Sequence, residues 1–227
     1  RDVERVDRQD DLAAARLFSA ATLGFVLEKH SGHLALIVYL FIFGEMVDAW
    51  QNRCIHHITR IRMVLRIRFF LMAWRAHVLA HPEYALDIQF ISRESFDIFT
   101  YVCESLLLLV LVYRDHFPQY PLLPWLHSTE SCEHVFGCMR KPKTDFDIAD
   151  LLYFMPKLMI YMSGTFGDLS PEQKENATAA GYHHTYFDTR DLDIPALMTW
   201  PTDAELEKVS LMAAQEAEQL LTVLGVA

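Results

Sequence analysis

Apolar residues recur every three to four positions along most of the chain, and alternation of apolar and polar residues is not sustained anywhere. That period is the signature of helices with one buried face, and it predicts an all-α multi-helix bundle. Helices are expected near residues 10–30, 33–55, 58–80, 92–115, 129–141 and 202–224. Ser31-Gly32 should break the first from the second. The stretch from His33 to His81 has no proline and a single glycine, Gly44, and is too long for one globular helix. We divide it between Cys54 and Ile58, where β-branched and histidine residues weaken the helix. Ser92 reads as an N-cap, with Glu94 favourably placed in the first turn.

Pro118, Pro121 and Pro124 forbid a helix and predict an extended connector. Ser128 should cap the short helix that follows, and another should start near Asp147, with Pro156 kinking or ending it. Ser163 to Leu169 reads as a glycine-containing loop. Ser170-Pro171-Glu172-Gln173 and Thr202-Asp203-Ala204-Glu205 both have capping-box chemistry. Only Tyr182 to Phe187 hints at a strand.

Two runs raise the question of a membrane. Leu34 to Phe43 and Leu106 to Tyr113 are free of charge, but extending either to the ~20 residues of a span takes in acidic or basic residues. Both are expected to be core helices, with an integral membrane protein as an alternative. The 52% hydrophobic content, with 15 Phe, 8 Gly and 9 Pro, excludes disordered, collagenous and low-complexity classes.

The net charge of −10 is unevenly placed. Residues 1–143 carry 16 basic and 16 acidic groups, whereas residues 144–227 carry 4 and 14. An acidic chain is a poor general binder of nucleic acid, because phosphate neutralisation needs positive surface. Cys54, Cys103, Cys132 and Cys138 contain no CxxC pair and read as free thiols of a reducing compartment, nuclear or cytoplasmic.

Four sets of residues could carry chemistry. Arg53, Arg60, Arg68 and Arg75 fall within about 80° on a helical wheel, with Arg62 and Arg66 opposite. Such a stripe could contact DNA phosphates; alternatively, these arginines pair with carboxylates of neighbouring helices. His127, Cys132, His134 and Cys138, with Cys54, His56 and His57, supply zinc-type ligands at a spacing that fits no closed zinc set. His183-His184 lies in a polar-aromatic cluster. Glu133, Phe136, Gly137 and Arg140 stand at i, i+3, i+4 and i+7, on one helix face that could present a single carboxylate to a metal.

Three stretches resemble the C-terminal part of P-element-type transposases, which have an RNase H-like catalytic core, and resemble more closely a group of fungal transposase-like proteins. Asp11 to Ser19 is similar to the helix after the family's second catalytic Asp. Phe43 to Arg53, with Asp48 and Asn52, is similar to its apolar helix ending in Asp-x-x-x-Asn. Glu133 to Arg140 resembles the Glu-x-x-Phe-Gly-x-x-Arg stretch that bears the third catalytic carboxylate. Leu123 to Glu130 and Gly181 to Asp188 match the fungal group alone. Cys132 departs from the leucine usual there, and no glycine-rich phosphate loop is present.

The resemblance implies a helical insertion-like domain over 1–127, then a last-carboxylate helix and an acidic helical region over 128–227, without the sheet. It implies that Glu133 is a catalytic, metal-binding carboxylate for Mg²⁺ in a full-length parent, set at the edge of the helical body beside Arg140. Two Mg²⁺ ions clamped by three carboxylates perform such chemistry, and the family's upstream Asp pair is not in this chain. The chain is therefore expected to be a fragment, inactive alone and without a cofactor of its own. DNA would be reached through the parent, and association into a homo-oligomer is compatible with this role. A non-enzymatic helical scaffold is the first alternative.

Overall fold

The computed structural model describes residues 11–140, 144–167 and 192–226. Among these every regular element is helical. In chain order they are α1 (Asp11–Leu17), α2 (Ala20–Lys29), α3 (Leu34–Gln51), α4 (His57–Ala80), α5 (Leu86–Gln89), α6 (Arg93–His116), a 3₁₀ turn (Pro124–Leu126), α7 (Glu130–Arg140), α8 (Ile148–Gly167), α9 (Ile194–Leu197) and α10 (Asp203–Val223).

The chain divides into two compact units, a larger one formed by 13–124 and 191–227 and a smaller one formed by 1–12 and 125–190. The expected boundary at 127/128 falls beside this border, but the C-terminal helix does not stay with the Glu133 segment. It returns to the larger unit, where α4 is the hub and packs against α3, α6 and α10. Val209, Ala213, Ala217 and Leu221 form a buried stripe on α10, at spacings of four residues, and the small side chains of Ala213 and Ala217 let α10 lie close on α4. Ile42, Phe43, Val64, Ile67, Leu71 and Leu106 fill the main core. Ile61, Val110, Leu122 and Val209 fill a second cluster.

Sequence chemistry explains several helix ends. The Ser92 hydroxyl accepts from the Ser95 backbone N–H, and Thr202 and Glu205 close the expected capping box. The long run breaks between α3 and α4, where Asn52 caps α3 and its side-chain oxygen accepts from the Cys54 N–H at 2.9 Å.

Three expectations change. The helix expected over 10–30 is two helices, because Ser19 adopts an extended N-cap conformation and its side chain accepts from the Thr22 N–H. Pro156 does not end α8, and 163–167 is helical rather than a loop. Proline removes one backbone donor, and the rest of a twenty-residue helix rich in good helix formers outweighs that loss. The charge-free runs are only partly core. Val38, Leu40, Ile42, Leu106 and Val110 are buried, while Leu34, Leu36, Tyr39, Leu108 and Val112 are exposed. Ser170 to Gln173 and Tyr182 to Phe187 lie outside the described residues.

The break between α1 and α2 has a packing role. A Cβ built on Gly44 of α3 would lie 2.9 Å from the Phe18 backbone oxygen, so only glycine lets the two segments approach this closely. The Phe18 ring also packs on Phe43, with centroids 5.9 Å apart. Gly44→Ala should therefore destabilise the larger unit by about 1–3 kcal/mol, less up to ~1 kcal/mol of regained helix propensity. Urea unfolding would show this as a lower midpoint at unchanged slope; an unshifted midpoint would mean that the Phe18 turn yields freely.

Candidate functional site

The two faces read from the helical wheel of α4 meet different partners. On one side Arg62 pairs with Glu216 of α10, and Arg66 bridges Glu45 of α3 at 2.6 Å and Glu216 at 2.8 Å. Burial lifts the Glu45 carboxyl above the ordinary range, opposed by the adjacent Arg66 charge. This network ties the hub to both neighbours, as the ion-pair alternative anticipates.

On the other side Arg68 donates to Glu104 of α6 at 2.9 Å, and the exposed Arg75 guanidinium sits 5.5 Å from the centre of the Phe96 ring. Met72 and Leu79 are exposed at helical spacing with them, so this face mixes basic and apolar surface. Arg53 is half-buried in the turn after α3.

Arg60 leaves the DNA-facing set. Its side chain is fully buried, and its guanidinium donates to the Ala49 carbonyl at 2.6 Å and the Asn52 carbonyl at 2.5 Å. A cation placed on the last carbonyls of a helix satisfies otherwise orphaned acceptors and opposes the negative end of the macrodipole. Burial draws Arg60 down to about 10, which keeps it protonated at neutral pH. Spacing puts Arg60 on the stripe, but α3 lies over that part of it.

Glu133 lies in the second turn of α7, with Phe136, Gly137 and Arg140 following on the same helix. Phe136 and Arg140 are exposed, Gly137 is half-buried, and Met139 is buried. Within the smaller unit α7 packs on α8, where Leu158 is buried. The side chains of Glu133, His134 and Cys138 lie outside the described residues, as do His183 and His184, and with them the expected approach of Arg140 to Glu133. Among the described residues no three His, Cys, Asp or Glu side chains converge as a metal site.

One polar centre was invisible to spacing arguments. His57, at the first position of α4, is fully buried and stacks on Trp200 with ring centroids 5.0 Å apart and planes 9° apart. Its Nε2 donates to the Leu197 carbonyl at 2.9 Å, which also accepts the Leu122 N–H at 3.1 Å. The Trp200 indole N–H reaches the Pro118 carbonyl at 3.1 Å. Burial pushes His57 down to about 4, with the Arg60 and His56 charges acting in the same direction. The centre fastens the segment before α10 to the start of α4 and the end of the proline connector.

Two described helices, Leu34–Gln51 and Arg93–His116, are long and apolar enough to cross a membrane, a test that core helices of soluble proteins also pass. No protein-family model, curated protein or solved structure matches the chain.

Proposed function

We propose that the chain is a fragment of a transposase-like protein, with its role in DNA transposition exercised in a nuclear or cytoplasmic parent. Glu133 on α7 would supply the third metal-binding carboxylate, and Arg53, Arg68 and Arg75 would face phosphate. The observation that carries this reading is a contact. Two stretches on which the resemblance rests, separated by the 23 residues between Ser19 and Phe43, pack together where the Phe18 carbonyl meets Gly44. Such a meeting supports reading them as parts of one inherited unit, and the third stretch is a helix of the expected length.

Two octahedral Mg²⁺ ions need several carboxylates, and the resemblance assigns one of them, Glu133, to this chain. In the full-length parent, Glu133→Gln should abolish strand cleavage with DNA binding retained, because the amide keeps the shape and removes the charge that holds the metal. Cleavage by that variant at the parent's rate would withdraw the assignment. The scaffold reading would then stand first, favoured by the exposed Ile98, Tyr101, Leu108 and Val112 stripe of α6.

A further inference from the structure

His77 stands in the last turn of α4, and His81, four residues on, is the extended C-cap of that helix; their ring centroids are 4.2 Å from each other. Side chains at i and i+4 share a helix face, the spacing at which two imidazoles can grip one metal. The His81 Nδ1 lies 2.8 Å from the His77 backbone carbonyl. A carbonyl only accepts, so Nδ1 carries the proton and Nε2 of the neutral ring holds the lone pair. Metal-ligating histidines are oriented in this way, by giving their other N–H to a carbonyl or carboxylate. Neither ring nitrogen of His77 has a hydrogen-bond partner among the described residues; its ring meets only those of His81 and Tyr84, the latter at 5.9 Å. Both histidines are half-buried rather than sealed, so an ion could enter from solvent.

We propose that His77 and His81 form a two-imidazole site for a divalent transition metal. A pair of imidazoles at this spacing can take Ni²⁺, Cu²⁺ or Zn²⁺, with water completing the shell. It sits where α4 gives way to the turn that carries Tyr84, whose N–H donates to the His81 carbonyl at 3.0 Å, so a bound ion would fix the end of the hub helix.

The test uses the full chain and Ni²⁺ alone. Calorimetry should lose one bound Ni²⁺ per chain, or at least tenfold in affinity, in His77→Ala and equally in His81→Ala, with circular dichroism unchanged. In parallel, paramagnetic Ni²⁺ should broaden the imidazole resonances of both histidines in the unsubstituted chain. The same Ni²⁺ isotherm in the double variant, or broadening confined to other histidines, would each overturn the proposal.

Discussion

Arg60→Met is expected to lower the unfolding free energy of the larger unit by about 2–4 kcal/mol. Methionine nearly matches the volume, so the loss is not that of a cavity. It comes from the Ala49 and Asn52 carbonyls, which lose the fork that satisfies them at the buried end of α3. Each orphaned acceptor costs about 1–3 kcal/mol, and relief of the buried guanidinium's own desolvation returns part of the sum. Arg60→Lys should fall between, because an ammonium keeps the charge but cannot span two carbonyls with a rigid fork. Urea unfolding at pH 7.5 would measure both. A methionine variant within about 0.5 kcal/mol of the parent chain would mean that α3 finds other donors for its last turn.

The second large effect is a loss of stability in acid centred on His57. Its folded value is depressed to about 4 against an ordinary 6.5, so the unfolded chain binds the proton first. Above about pH 6.5 both states are neutral and the contribution is intact. As pH falls from about 6.5 to about 4, stability declines by up to about 1.4 kcal/mol per pH unit, on the order of 3 kcal/mol in all, and then levels. His57→Gln can still donate to the Leu197 carbonyl but cannot titrate. The difference between the two pH profiles therefore isolates this ring from Glu45 and the other carboxylates. If the two profiles run parallel between pH 4 and 6.5, His57 does not titrate as its burial demands. Replacement of Trp200 by leucine should raise the apparent value toward the ordinary one by opening the ring to water.

Helix content was legible because period and caps are local properties. Ser92, Thr202 and the break after Asn52 announce themselves within a few residues. The division at Ser19 was missed for a related reason. Its cap competes with a favourable helical run, and the run reads more strongly than one serine. The destination of α10 was not legible, since the capping box says where a helix begins and nothing about which helix it will meet. The same limit applied to the arginines. The wheel separated Arg62 and Arg66 from Arg68 and Arg75, yet it could not show that α3 would cover Arg60. His57 carried a signal only as a zinc-type ligand and none of its role as a buried anchor, because its partners Leu197 and Trp200 come some 140 positions later and act through a backbone carbonyl and a ring face.

The arrangement of α4 and α10 also bears on how the protein is made. On the ribosome the hub helix is complete at Ala80, whereas the helix that covers it spans Asp203–Val223. At about 5–20 residues per second, the apolar face of α4 waits on the order of 7–30 seconds for its cover. Throughout that interval Val64, Ile67 and Leu71 are shielded only by α3 and α6 as those arrive, and the Arg62 and Arg66 guanidinium groups lack Glu216. The nascent larger unit is thus a natural client for a chaperone that recognises basic, apolar segments, and release should coincide with emergence of Asp203–Val223. A chain truncated before Asp203 should remain bound to that chaperone and fail to reach the soluble pool.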